Sequence, residues 1–140
     1  MAYLLDTNVV SELRKVRRDP NVAAWYERAA GADAYLSVLV IGELRQGVER
    51  LRVRDPVQAG TLGHWLDVLT IGYGDRILPV TKDVAQEWGR LNALPQPLPV
   101  VDGLIGATAK VHRLTVATRH VDHFARAGVA VVNPFADTTG

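Results

Sequence analysis

The sequence contains no cysteine. That excludes a disulfide framework and any thiolate metal site, leaves oxygen or histidine as the ligands for a metal, and is compatible with a reducing compartment. A long apolar run is also missing: nothing approaches the roughly 20 consecutive apolar residues of a membrane-spanning helix. No basic segment followed by an apolar one precedes Asp6, so no secretory leader is expected and the chain reads as soluble and cytoplasmic. Nor is there an excess of one charge. With a formal net charge of +1 the protein is not a polycation that coats nucleic acid through bulk electrostatics, and any nucleic-acid contact has to be local. What is present is globular: 140 residues, 48% hydrophobic and 22% charged, too apolar for a disordered chain and long enough for one core. No linker or repeat divides it. A single domain is expected over residues 1–136, followed by a frayed polar tail at 137–140.

Short β-rich runs occur at Tyr3–Leu5, Ala34–Ser37, Ile77–Val80, Thr115–Ala117 and Val129–Val132, with helical patterns between them. Strands alternating with helices predict an α/β fold with a mostly parallel sheet covered on both faces. The interval between the second and third strands accommodates two helices, near Leu39–Leu51 and Pro56–Leu69, and the remaining spacing fits single crossovers. Pro95, Pro97 and Pro99 make Leu94–Pro99 a loop that delivers the chain to a helix starting near Asp102.

Four carboxylates mark strand ends or the helices after them: Asp6, Glu43, Asp102 and Asp122. A parallel sheet gathers such positions on one edge, where open α/β sheets hold their ligand crevices. Gathered acids repel one another and call for a cation, and an oxygen-only cluster suits Mg²⁺ or Mn²⁺. Each acid also has a plainer reading. Asp6 can cap the helix that follows, Glu43 can be a surface residue beside the stripe Ile41, Leu44, Val48 and Leu51, and Asp122 can cap a short helix. Asp102 leads a narrow face of small residues, Gly106 and Ala109, into the interior, where a helix N-terminus or a metal has to stabilise its charge. The basic run Arg14–Arg18 is a candidate grip on a phosphate backbone, or a solvated helix end. Trp25, Trp65 and Trp88 read as core or interface. His120-Val121-Asp122-His123 has no further ligand at zinc-site spacing, so zinc is not expected.

In these residues the sequence resembles the PIN-domain ribonucleases, specifically the VapC-type toxins of toxin–antitoxin pairs and their FitB-like subgroup. The matching pieces run in order along nearly the whole chain: Leu4-Leu5-Asp6-Thr7-Asn8-Val9-Val10-Ser11-Glu12-Leu13, Gly42-Glu43-Leu44-Arg45-Gln46-Gly47, Asp102-Gly103-Leu104-Ile105-Gly106-Ala107-Thr108-Ala109, Leu114-Thr115-Val116-Ala117-Thr118-Arg119 and Val132-Asn133-Pro134. The resemblance implies a three-layer α/β/α sandwich formed by one PIN domain over 1–136. It implies Asp6, Glu43 and Asp102 as the acidic core; Asp122 is the candidate for a catalytic fourth acid, with His120 in that place or a site of three acids as the alternatives. The implied activity is Mg²⁺-dependent endoribonuclease, Mn²⁺ being able to replace Mg²⁺. Asp6 and Asp102 would hold the ion and Glu43 would orient or deprotonate the attacking water. Thr7, Asn8, Arg45, Arg119 and His120 are candidate substrate contacts. The implied partners are RNA, a cognate antitoxin through which operator DNA is bound, and a second copy of the chain, with no membrane. This chain departs from the family at the fourth position: where Asn or Asp commonly follows Thr-Arg, with another Asp three residues on, it has His120 and His123, with Asp122 offset between them.

Two other readings compete. A degenerate nuclease fold could serve as a binding and regulatory module. Alternatively, Lys82 after the third strand suggests an aspartyl-phosphate phosphotransfer domain, although the paired early acids of a receiver are absent and the dehalogenase-type Asp-x-Asp is here Asp6-Thr7-Asn8.

Overall fold

The computed structural model describes residues 1–136, apart from the side chain of Ala32; the tail expected at 137–140 lies outside the described residues. Five short strands, β1 (Tyr3–Leu5), β2 (Ala34–Ser37), β3 (Ile77–Leu78), β4 (Thr115–Ala117) and β5 (Val131–Val132), form one parallel sheet in the order β3-β2-β1-β4-β5. Its central strands are buried on both faces, as a covered parallel sheet requires: Leu4, Leu5, Ala34, Leu36, Val116 and Ala117 are inaccessible to solvent.

The helices are α1 (Thr7–Arg14), α2 (Pro20–Trp25), α3 (Val38–Arg54), α4 (Pro56–Tyr73), α5 (Lys82–Asn92), α6 (Val100–His112) and α7 (Val121–Arg126). Right-handed crossovers that step from β1 to β2 to β3 put α1–α4 on one face of the sheet. The reversed steps to β4 and β5 put α5–α7 on the other, which completes the α/β/α sandwich. The chain reverses direction between β1 and β4, so the sheet's switch point, where a ligand crevice opens, is beside Asp6.

Local chemistry sets the boundaries. Asp55 ends α3 and caps α4 through Gln58 N (3.1 Å), with Pro56 at the first helical position. Gly128, at φ 75°, closes α7 in a Schellman turn through Val129 N to Phe124 O and Gly128 N to Ala125 O, both 3.0 Å. That turn takes up Val129, so β5 starts two residues later than its sequence pattern suggests. Pro79 offers no N–H to a ladder, and β3 stops at Leu78. Single crossovers hold only for β4 to β5. The links from β1 to β2 and from β3 to β4 each carry two helices, since α2 follows α1 after the basic turn and α5 precedes the proline loop.

Candidate active site

Asp6 leaves β1 at the switch point and is 4% exposed. Its backbone N–H continues the ladder to Ala117 O (2.9 Å), and its carboxylate caps α1 by accepting from Thr7 N at 2.8 Å. The capping role read from sequence is therefore real, and the other oxygen remains committed to the crevice. Asp6 Oδ2 accepts from the buried Thr118 hydroxyl at 2.8 Å and from Asn8 Nδ2 at 3.3 Å. Asn8 binds across the gap between β1 and β4. Its Nδ2 also lies 3.3 Å from Thr118 Oγ1, and its Oδ1 accepts from Arg119 N at 3.1 Å. Thr118 Oγ1 in turn accepts from His120 N at 3.0 Å. A neutral hydroxyl, an amide and the Thr7 backbone N–H thus hold the buried carboxylate in place.

Asp102 reaches the same crevice from the opposite layer, in the first turn of α6. Burial, and next the negative charge of Asp6, raise its carboxyl above the ordinary Asp range, with His123 and His120 pulling partly back. The two acids are therefore close enough to feel each other, although nearly 100 residues separate them in the chain. α6 can bring Asp102 there because it is lined with glycine: a Cβ on Gly103 would meet the Trp88 ring at 3.1 Å, and one on Gly106 would meet Val129 at 3.3 Å and Phe124 at 3.5 Å. The small-residue face expected around Gly106 packs as anticipated, whereas the closer approach at Gly103 was not foreseen.

Glu43 joins through Thr7, whose hydroxyl donates to Glu43 Oε1 at 2.6 Å. Thr7 is a candidate substrate contact in the sequence, but here its hydroxyl ties α1 to α3. On the other side of Asp102, His123 Nδ1 lies 3.7 Å from Asp102 Oδ2, an ion-pair distance too long for a hydrogen bond, and this buried nitrogen has no hydrogen-bond partner. The rings of His120 and His123 stack with centroids 5.8 Å apart. Asp122, between them, is exposed in the first turn of α7. It is not the cap of that helix, a position held by His120. It lines a polar cleft of about 430 Å³ together with Arg119, His120, His123 and Asn133.

The remaining candidates lie elsewhere. Arg45 is drawn toward Asp67 (3.3 Å) and Glu49 (3.8 Å) on the α3–α4 hairpin. The run Arg14–Arg18 is at the far end of α1, roughly 12 Å along the helix from Asp6 at about 1.5 Å per residue, where Lys15 pairs with Glu12 at 3.0 Å. Trp25 is core, stacked edge-on against Tyr3. Thr118 is the site residue that sequence reasoning did not assign a role, although a hydroxyl directly after the strand that pairs with β1 was the available signal. Among the described residues no three His, Asp or Glu side chains converge closely enough to enclose a metal by themselves.

Known proteins place this architecture. The PIN domain family model matches residues 3–129. Toxin FitB of Neisseria gonorrhoeae is 37% identical, over 96% of this chain and 99% of its own, and VapC ribonuclease Y4jK of Sinorhizobium fredii is 34% identical over 94% and 96%. Among solved structures, FitAcB from Neisseria gonorrhoeae superposes with a TM-score of 0.87 at 36% identity, over 95% of this chain and 98% of that one. FitAB bound to an IR36 DNA fragment gives 0.85 at 34%, over 96% of each. The chain belongs to the PIN-domain family, in its FitB and VapC toxin group.

Proposed function

We propose that the protein is a metal-dependent endoribonuclease, the toxin of a toxin–antitoxin pair, hydrolysing RNA phosphodiester bonds at the crevice between β1 and β4. The observation that carries this reading is the convergence of two acids on one crevice: Asp6 is buried at the end of β1 and Asp102 enters from the first turn of α6, where burial first, and then the negative charge of Asp6, raises its carboxyl. Two repelling carboxylates, with Glu43 tied in through Thr7, fit a hard divalent cation, Mg²⁺ or Mn²⁺ in its place, even though the His123 imidazole lies 3.7 Å from Asp102; such an ion keeps several waters where few protein ligands converge. Asp6 and Asp102 would hold it. When bound, it supplies Lewis acidity to the scissile phosphate and acidifies water.

The chain's own residues do the rest. Glu43 is the general base: with Oε1 fixed by the Thr7 hydroxyl, Oε2 is the oxygen left to orient water and take its proton. Thr7, Asn8 and Thr118 are positioning residues, since the Thr7 hydroxyl and both ends of the Asn8 amide are engaged within the protein. Arg119, its guanidinium held 3.9 Å over the Phe135 ring, supplies a pre-ordered phosphate contact. Arg45, engaged by two acids, has no part in this assignment. The domain spans residues 1–136, and none of the described helices is long and apolar enough to cross a membrane. We place the protein in the cytoplasm with its RNA, neutralised by a cognate antitoxin that carries the pair to operator DNA, and assembled as a homodimer. The likeness to FitB, solved as FitAB on DNA, supports that assembly.

The test is cleavage of total RNA by the antitoxin-free protein, wild type against Asp102→Asn, with Mg²⁺ or Mn²⁺ and then EDTA. Discrete fragments that disappear with EDTA, and fall at least about 100-fold with Asp102→Asn, are expected, because loss of even an outer-shell partner of a metal costs 10–100-fold. Absence of cleavage by folded, metal-supplied wild type would favour the degenerate binding module, in which His120 and His123 have replaced working acids.

A further inference from the structure

The cleft lined by Arg119, His120, Asp122, His123 and Asn133 adjoins the acid pair through His123, whose Nδ1 lies 3.7 Å from Asp102 Oδ2. We propose that it is the subsite for an unpaired guanine base of the RNA strand next to the scissile phosphodiester, with the His120–His123 pair as its stacking platform and Asp122 as the reader of its N–H edge. This rests on the ribonuclease reading above.

The geometry argues for a base. The two imidazoles are near-parallel, 25° apart, and His120 is exposed, so its outer face extends the stack. Histidine is among the side chains on which splayed-out RNA bases stack. The volume, about 430 Å³, is in the range of small-molecule sites. A phosphate occupant is disfavoured by Asp122, whose exposed carboxylate faces the cleft and has no cation within ion-pair distance among the described residues. An ionised carboxylate only accepts hydrogen bonds. Guanine is the base that offers it two adjacent donors, N1–H and the 2-amino group, whereas uracil offers one N–H between two carbonyls. Asn133 is oriented by accepting from Phe135 N at 3.0 Å through Oδ1, which leaves its amide NH₂ as a donor toward the cleft. Arg119, stacked on Phe135, is on the rim where the adjoining phosphate would pass.

The experiment is NMR of the full chain in EDTA, following the histidine ring signals during titration with GMP, UMP and ribose 5-phosphate, so that catalysis plays no part. GMP should move the His120 and His123 signals and bind about tenfold tighter than UMP, the discrimination typical of a good bidentate base contact. Equal affinity for the two nucleotides, or equal shifts with ribose 5-phosphate, would overturn the proposal, the latter in favour of a phosphate site. Asp122→Asn, at an exposed position that the fold tolerates, should erase the preference for GMP. His120→Ala should weaken GMP binding about tenfold while His120→Phe, which keeps the stack, retains it. Persistence of the preference in Asp122→Asn, or unchanged binding in His120→Ala, would be decisive against it. Mapping of cut ends in total RNA separates the two readings. Guanine at one fixed position beside the cut supports both, and cleavage without any base preference removes the subsite alone. If wild type does not cleave, the nuclease reading fails, and the nucleotide titration still decides the subsite.

Discussion

Thr118 contributes more to the site than its modest chemistry suggests. Its hydroxyl donates to Asp6 and accepts from His120 N, all at a buried position. Thr118→Val keeps the shape and removes the hydroxyl, leaving His120 N without this partner and Asp6 Oδ2 with the longer 3.3 Å bond from Asn8. Chemical denaturation should show a loss of about 1–3 kcal/mol, with Thr118→Ser recovering most of it and RNA cleavage falling in parallel with Thr118→Val. Glu12, on the buried side of α1, is a second test. The Asp19 backbone N–H at 2.8 Å, and next the Lys15 ammonium, hold its carboxyl below the ordinary value of 4.5. A depressed folded pKa means stability that is fully present above the unfolded value and lost as pH falls through the folded one. Glu12→Gln should therefore lower the melting temperature at neutral pH, and the gap from wild type should close on acidification past the folded value. A gap that stays constant from neutral to acid would remove the electrostatic account.

At the scale of elements, α7 has only six residues and no side-chain cap, too little to hold itself. Its anchor is Phe124, fully buried and packed against the bare backbone at Gly106. Phe124→Ala should cost about 3–5 kcal/mol, the usual range for a buried phenylalanine, read by urea unfolding. Both His120 and His123 should lose their ordered ring signals with it. The elements also show where the pattern in the chain misled. The hydrophobic runs at 77–80 and 129–132 are real, but Pro79 and the turn at Gly128 shorten the strands to two residues each. Hydrophobicity reports burial, not ladder hydrogen bonding, and cannot register that difference.

For the whole molecule, a net charge of +1 means that no broad basic field draws RNA in. Of the residues lining the cleft, Arg119 is the cation placed to meet the backbone. The salt dependence of RNA binding should then be shallow, with log Kd against log salt of slope roughly 1 or less, since each phosphate contact on a single strand contributes about 0.7. Fluorescence anisotropy of a short single-stranded RNA in EDTA measures it. A steep slope would point instead to the run at Arg14–Arg18, at the other end of α1, as part of the RNA path.

The five strands, their alternation with helices and the helix pair between β2 and β3 follow from the sequence itself, as do the motifs around Asp6, Glu43 and Asp102, because strand and helix periodicity and short motifs are local properties of a chain, whereas the second helix in each of the β1–β2 and β3–β4 links does not. The tertiary structure decided who meets whom. That Thr7 binds Glu43 rather than facing a ligand, that Thr118 holds Asp6, that Arg45 turns to Asp67 and that the basic run ends up remote from the acids depend on side-chain directions set by packing between distant segments. The same holds for Asp102: its charge is ordinary chemistry in the sequence, and only burial beside Asp6 makes it a group that a cation would relieve.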